Sequence, residues 1–169
     1  IFVSGTLGDS ALALHQLQTY QKPAPALAEK HYCPQARIEL GNSFVAGGLA
    51  NAMIDLSDGL VADLNHILDA SDKGAVLDLT DVPVSKLFQD ACCKQAELID
   101  LALTGGEDYE LLFTVPVAEE SNVALLANKL KLPLTKIGSV TSNKGLTVLR
   151  EDGTLYPYRQ GGFDHFSQE

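Results

Sequence analysis

Residues 53–60, MIDLSDGL, place two carboxylates three residues apart with a hydroxyl between them. An apolar run ends at Asp55 and a helical pattern begins near Gly59, so Asp55, Ser57 and Asp58 fall at a strand-to-helix junction. Ligand sites in α/β sheets gather where strands end, and a helix N-terminus presents N–H groups that favour phosphate. Carboxylates beside phosphate need a divalent cation between them, and Mg²⁺ prefers such hard oxygen ligands. The segment therefore predicts a Mg²⁺–phosphate site.

A simpler interpretation of the same segment is that Ser57 or Asp58 only caps the following helix. Asp55 argues against it, because a carboxylate beside a buried strand needs a partner. From these residues alone both interpretations stay open.

A second acidic segment, residues 103–113 with the sequence LTGGEDYELLF, follows later in the chain. Its paired glycines allow a loop whose backbone approaches a ligand closely. Glu107, Asp108 and Glu110 put three acids within four residues. The alternative is an exposed, solvated acidic turn.

Both acidic segments lack a neighbouring cation in the sequence. Residues 38–72 and 95–128 contain neither Lys nor Arg. Phosphoryl transfer without such a cation must rely on metal ions to neutralise charge. The chain also has no P-loop, no GxGxxG pattern and no protein-kinase signature, so a kinase here would belong to none of the common classes.

The closing segment, residues 160–166 with the sequence QGGFDHF, supplies a third candidate. Phe163 is expected either to stack on a flat ligand ring or to pack into the core as a terminal aromatic residue. The three cysteines, Cys33, Cys92 and Cys93, form neither a disulfide framework nor a zinc pattern, which favours a reduced, cytoplasmic setting.

The composition excludes several classes of partner. The 169 residues carry a formal charge of −10, which disfavours direct binding to nucleic acid or to an anionic membrane. The longest uncharged run, residues 40–54, is too short and too rich in Gly and Asn to span a bilayer. The chain opens on IFVSG rather than on Met, from which we expect that a preceding part is missing.

These residues require a layered α/β domain with a mixed β-sheet flanked by helices. The predicted strands are residues 1–3, 52–57, 75–79, 110–115, 134–140 and 146–149. The predicted helices are residues 9–20, 26–32, 40–50, 83–94, 96–103 and 119–131, and one further helix that begins near Gly59 and is stopped by Gly74. A turn at 143–145 joins the last two strands, and a hairpin at Asp152 and Gly153 follows.

Four segments carry a resemblance to a known family: residues 5–14, 53–64, 104–116 and 162–166. In this order they resemble the C-terminal part of the bacterial thiamine-monophosphate kinases, in the superfamily of AIR synthase and selenophosphate synthetase. The resemblance implies that residues 1–169 are one PurM-like C-terminal domain. It also implies that an absent N-terminal domain supplies further Mg²⁺-binding acids, more of the ATP site and the main contact of a homodimer.

The same resemblance implies ATP-dependent phosphorylation of thiamine monophosphate to thiamine diphosphate, with several Mg²⁺ ions and direct transfer of the γ-phosphoryl group. By position in the family motifs, Asp55 and Asp58 would be Mg²⁺ ligands and Ser57 an ATP contact. Glu107 and Phe163 would contact the thiamine substrate.

The expected enzyme is cytoplasmic, and the chain alone is expected to be inactive. Asp63 also matches the motif, and no role is assigned to it. Two alternatives remain: a sister ATP-dependent activity of the same superfamily, and a free-standing acidic metal- or ligand-binding module.

Overall fold

The computed structural model describes residues 1–158, which form seven β-strands and seven α-helices. The strands are β1 (Phe2–Ser4), β2 (Ala52–Asp55), β3 (Gly74–Asp78), β4 (Leu111–Thr114), β5 (Leu134–Lys136), β6 (Gly138–Thr141) and β7 (Gly145–Leu149). The helices are α1 (Asp9–Gln18), α2 (Pro25–Tyr32), α3 (Ile38–Gly47), α4 (Leu60–Ser71), α5 (Lys86–Cys92), α6 (Asp100–Thr104) and α7 (Glu120–Leu130). None of the helices in this part of the chain is long and apolar enough to cross a membrane.

The strands form two sheets, which confirms the predicted α/β class and adds a division that the sequence did not reveal. The larger sheet has the order β2-β4-β1-β5, and all of its neighbouring strands are antiparallel. The smaller sheet has the order β6-β3-β7, with β3 antiparallel to β6 and parallel to β7. The mixed pairing is therefore confined to the smaller sheet.

The predicted strand over 134–140 is in fact two strands that belong to different sheets. The chain passes from β5 to β6 at Ile137, which is completely buried. The Ile137 amide donates to the carbonyl oxygen of Ile1 at 3.0 Å, and its carbonyl oxygen accepts from the Asp78 amide at 2.9 Å. The predicted turn at 143–145 does join β6 to β7, and these two strands flank β3 without pairing with each other.

Two hydrophobic clusters lie on opposite faces of the larger sheet. Successive side chains of a strand point to opposite faces. Val3 and Leu112 accordingly lie in one cluster, whereas Phe2 and Phe113 lie in the other. There the Phe113 ring lies 5.7 Å from the ring of Phe2 and 4.4 Å from that of Phe44, which α3 contributes. The larger sheet is thus packed on both faces, which fixes the positions of the ends of β2 and β4.

Helix α4 follows β2 and buries one face in the larger cluster, as its periodicity predicts. Leu60, Leu64, Ile67 and Leu68 are all buried. The helix does not end at Gly74, so that prediction is wrong.

The chain turns earlier, where Asp72 adopts the left-handed conformation with φ of 54° and the Lys73 amide donates to the Leu68 carbonyl. Gly74 already lies in β3, and a side chain there would overlap the carbonyl oxygen of Asn143.

Candidate functional site

The two acidic segments of the sequence lie side by side at the ends of β2 and β4. Their backbones continue the strand pairing: the Leu56 amide donates to the Glu110 carbonyl at 2.8 Å, and the Tyr109 amide donates to the Leu56 carbonyl at 2.8 Å. The Glu107 amide then donates to the Ser57 carbonyl at 2.9 Å. Residues 50 positions apart in the chain are therefore held in one surface loop pair.

Two glycines allow this close approach. A methyl group on Gly106 would overlap the carbonyl oxygen of Ser57. Gly59 has a φ of 116°, which L side chains rarely adopt, and a methyl group there would meet the Thr104 carbonyl oxygen at 2.9 Å. The glycines of both motifs are thus needed for packing the two loops together.

The buried side chain of Asp63 organises the loop before α4. Its Oδ2 atom accepts the backbone amides of Ser57 at 3.0 Å, Asp58 at 3.1 Å and Gly59 at 3.1 Å. Only 2% of Asp63 is exposed. Burial raises the pKa of Asp63, while these three hydrogen bonds act in the opposite direction.

This arrangement bears on two expectations drawn from the sequence. The amides of Ser57, Asp58 and Gly59, which lead into α4, are already donated to Asp63, whereas the first-turn amides of α4, from Leu60 onward, are not among its donors. Neither Ser57 nor Asp58 caps the helix, because the N-cap residue is Gly59, which makes no side-chain cap. An anion at this loop therefore has to be held by something other than those amides.

Asp55 and Asp58 form no ion pair within residues 1–158, although Arg37 lines the same surface pocket as Asp55. Asp55 is exposed at the end of β2 and Asp58 is half-buried, and none of the ion pairs in this part of the chain includes either. The charge of Glu107, with those of Asp55 and Asp58, raises the pKa of Tyr109. The negative charges of both acidic segments therefore act on the same tyrosine.

Glu107 and Tyr109 both have positive φ angles, of 69° and 51°. Such conformations cost non-glycine residues about 1–3 kcal/mol, and they cluster at functional sites. Both strained residues belong to the loop whose amides donate to the carbonyl oxygens of Leu56 and Ser57.

The donor atoms fit a divalent cation. Asp58, Asp63 and His66 each offer a ligand atom within 4.8 Å of the others, and Asp55 is not part of this group. Carboxylate oxygens suit Mg²⁺, and an imidazole adds a ligand that transition metals also accept. The sequence reasoning missed His66, although Asp63 and His66 have the i, i+3 spacing that places both on one face of α4.

A cavity of about 390 Å³ lies between α1 and the Gly-rich loop, and both Ser57 and Glu107 line it. Its wall also includes Ser10 and His31, whose Oγ and Nδ1 atoms are 3.0 Å apart. The apolar part of the wall comes from Ala11, Leu14 and Leu101. No spacing in the sequence links His31 to this site, because α2 brings it there through tertiary packing.

Glu110 takes no part in the site. Only 1% of it is exposed, and its carboxylate accepts from Arg37 at 2.6 and 2.5 Å, from Lys30 at 3.3 Å and from Ser4 at 2.6 Å. Burial alone would raise its pKa, but Arg37, Ser4 and Lys30 hold the pKa of Glu110 below its usual value. This acid of the second motif is therefore structural.

Asp108 also points inward, and its Oδ2 atom accepts the Gly8 amide at 2.8 Å. Burial, together with the charges of Asp9 and Glu110, raises the pKa of Asp108 to about 7. Of the three acids in this motif, only Glu107 is exposed. Phe163, the other residue expected to contact substrate, lies outside the described residues.

Residues 1–151 match the model of the AIR synthase related protein, C-terminal domain family. The chain belongs to this family. The resemblance inferred from the four sequence segments is thereby confirmed, and so is the PurM-like α/β fold.

One curated relative is the thiamine-monophosphate kinase of Escherichia coli (strain K12). It is 42% identical to this chain, and the match covers 99% of this chain and 52% of the relative. The chain spans about half the length of the curated relatives it matches.

Two solved structures are similar to this AIR synthase related domain. The thiamine-monophosphate kinase from Stenotrophomonas maltophilia K279a superposes with a TM-score of 0.81 at 36% identity, covering 90% of this chain and 49% of that one. AaThiL complexed with AMPPCP and TMP superposes with a TM-score of 0.77 at 36% identity, covering 98% of this chain and 50% of that one.

Proposed function

We propose that this chain is the C-terminal domain of a thiamine-monophosphate kinase, which transfers the γ-phosphoryl group of ATP to thiamine monophosphate and forms thiamine diphosphate. One observation carries the proposal: the two acidic motifs are hydrogen-bonded side by side at the ends of β2 and β4, and neither Asp55 nor Asp58 is in an ion pair of residues 1–158. The family match and the relatives of about 40% identity support it. Because those relatives are about twice as long, we propose that an N-terminal domain completes the enzyme.

In this proposal Asp55 and Asp58 hold Mg²⁺. A bound Mg²⁺ would neutralise the charge between these carboxylates and the polyphosphate of ATP. The donor set supports this assignment, since both side chains offer hard oxygen ligands that no described Lys or Arg occupies. The two aspartates therefore orient the nucleotide through the cation rather than through direct contact.

Ser57 is proposed to contact ATP. Its amide is donated to Asp63 and its carbonyl accepts from Glu107, so both backbone groups serve the loop. Within residues 1–158 its hydroxyl has no protein partner, and the residue lines the cavity beside the metal-binding loop. The similarity to AaThiL, which was solved with AMPPCP and TMP, supports a nucleotide in this family of sites.

The thiamine group is proposed to enter the cavity that Glu107 lines. A volume of about 390 Å³ lies within the range of small-molecule sites, and the mostly apolar wall suits flat rings. The thiazolium ring of thiamine carries a positive charge, and Glu107 supplies the opposite charge at the edge of the cavity. Phe163 is proposed as a further contact to the substrate.

The experiment that tests the function is a kinase assay with the full-length protein. Wild type is expected to form thiamine diphosphate from ATP and thiamine monophosphate only with Mg²⁺. Asp58→Asn should lower kcat/KM at least about 100-fold, because the metal site loses a charged ligand. Asp69→Asn, an exposed change on the same helix, should leave the rate unchanged.

Two results would contradict the proposal. Wild-type protein that binds Mg²⁺ but phosphorylates a different metabolite would establish a sister activity. Binding of phosphorylated ligands without any turnover would establish a binding module. The isolated 169-residue chain is expected to be inactive in the same assay, because we propose that the rest of the site comes from the N-terminal domain.

The cytoplasmic location and a homodimer of the full-length enzyme also stay proposals. They follow from the resemblance to the family and from three cysteines that are free within residues 1–158. Light scattering of the full-length protein tests the dimer, and a monomer at micromolar concentration would contradict it.

A further inference from the structure

The loop that carries Ser57 and Asp58 has no regular secondary structure of its own. It lies between the end of β2 and the start of α4, and its backbone amides cannot be satisfied by the helix. A single buried carboxylate oxygen accepts all three amides from Ser57 to Gly59. The shape of the loop therefore depends on the side chain of Asp63.

The backbone of Asp63 belongs to α4 and not to the loop. Asp63 lies in the first turn of α4, between the buried residues Leu60 and Leu64, and only 2% of it is exposed. Hydrogen bonds from amides to a charged carboxylate are among the stronger ones in proteins. A side chain of α4 thus fixes the backbone of the neighbouring loop through three hydrogen bonds.

We propose that Asp63 is a positioning residue, which fixes the backbone of Ser57 and Asp58 so that these residues hold metal-bound nucleotide. This inference rests on the proposed function of Ser57 and Asp58. Asp63 acts through the loop and contributes no ligand to the metal. It also occupies the amides of Ser57, Asp58 and Gly59 with an internal acceptor, so these three amides do not hold polyphosphate directly.

A different role would be direct coordination, since Asp58, Asp63 and His66 lie within 4.8 Å of one another. The hydrogen bonds favour positioning, because the Oδ2 atom of Asp63 already accepts three amides. Direct coordination predicts that His66 matters as much as Asp63. Positioning predicts that His66→Ala leaves the exchange of the amides of Ser57, Asp58 and Gly59 at the wild-type rate, since His66 takes no part in these three hydrogen bonds.

The first measurement is amide hydrogen exchange in the full-length protein. In Asp63→Ala the amides of Ser57, Asp58 and Gly59 should exchange at least about tenfold faster than in wild type. Asp63→Asn should lie between the two, because its carbonyl oxygen can still accept these amides. The amides of Leu64 and Leu68 should not change, and Asp69→Asn should match wild type throughout. Unchanged exchange in the three loop amides of Asp63→Ala would overturn the inference.

The second measurement is the dependence of the loop on Mg²⁺. Titration calorimetry with Mg²⁺ alone should show binding weakened about tenfold in Asp63→Ala and less in Asp63→Asn, as for partners that orient metal ligands. In the kinase assay kcat should fall about 10- to 100-fold, while KM for thiamine monophosphate stays within about twofold. A merely structural role would lower the yield of folded protein and leave these constants unchanged in the folded fraction.

Failure of this inference can be told apart from failure of the proposed function. If wild type binds Mg²⁺ but has no kinase activity, the proposed function is wrong and the calorimetry still decides the role of Asp63. If wild type is active and both Asp63 variants bind Mg²⁺ as wild type does, the positioning role is wrong. Should Asp63→Ala fail to fold, Asp63→Asn provides the same comparison. Weaker Mg²⁺ binding in Asp63→Asn and Asp63→Ala with unchanged exchange of the three loop amides would show coordination and overturn the inference.

Discussion

Glu110 and Asp55 occupy neighbouring places in one sheet, since Asp55 pairs in register with Leu111, yet they illustrate opposite uses of a carboxylate. Glu110 is buried and surrounded by Arg37, Lys30 and Ser4. Asp55 is exposed, and none of the described ion pairs includes it. The structural acid has its own protein cations, whereas the acid of the candidate site is left for a ligand to neutralise.

The largest expected effect tests the structural half of this comparison. Glu110→Gln should lower the free energy of unfolding by about 3–5 kcal/mol, because Arg37 would stay largely buried without its partner. Urea unfolding of the chain measures this loss. Glu39→Gln, an exposed change on α3, is the matched control and should stay within about 0.5 kcal/mol of wild type. A loss below about 1 kcal/mol in Glu110→Gln would mean that the ion pairs contribute little.

The second prediction uses Asp108, a half-buried acid that is in none of the ion pairs of residues 1–158. Its pKa of about 7 in the folded chain is above the unfolded value of about 3.9, so folding favours the protonated form. Its contribution to stability is therefore fully present below about pH 4, falls as the pH rises to about 7 and is lost above that. The stability of Asp108→Asn relative to wild type should therefore rise from pH 4 to pH 8, by on the order of 4 kcal/mol.

Urea unfolding of wild type and Asp108→Asn between pH 4 and pH 8 measures this difference, with Asp69→Asn as the exposed control. A constant difference across the range would show that Asp108 does not titrate there. A growing difference would show that the burial of this acid opposes stability at neutral pH, in contrast to Glu110.

The smallest expected effect tests the other half of the comparison. Asp58→Asn should change the free energy of unfolding without metal by less than about 0.5 kcal/mol, because Asp58 is in none of the described ion pairs. Mg²⁺ at about ten times its dissociation constant should stabilise wild type by about 1.4 kcal/mol and the variant by less. Thermal unfolding with and without Mg²⁺ checks this, and equal stabilisation of both would exclude Asp58 from the metal site.

Local sequence was enough to predict the position of Asp55, Ser57 and Asp58, because a buried strand followed by a helical pattern fixes where the loop lies. It was not enough for Glu110. Its cations, Arg37 and Lys30, lie 73 and 80 residues away in the chain. Because neither motif has Lys or Arg near it in the sequence, the two loops were expected to be alike. In the fold, Arg37 and Lys30 neutralise Glu110 of the second motif.

The loop amides show a different limit of sequence reasoning. Asp63 is only four to six residues from the amides it accepts, so the distance along the chain was not the obstacle. The pattern shows that a helix begins near Gly59, but it does not show that a side chain of the first turn bends back toward the preceding loop. The sequence also did not predict that residues 134–140 form two strands divided at Ile137, since both halves have ordinary strand composition.

The position of Ile137 also has a consequence for how the domain comes apart. One continuous stretch of backbone supplies an edge strand to each sheet: β5 to the larger and β6 to the smaller. Its central residue, Ile137, is hydrogen-bonded to Ile1 and to Asp78 of β3. If one sheet unfolds, the β5–β6 segment that it shares with the other sheet is displaced as well. We therefore expect the two sheets to melt together in a single cooperative transition, and hydrogen exchange by global opening should give them the same protection.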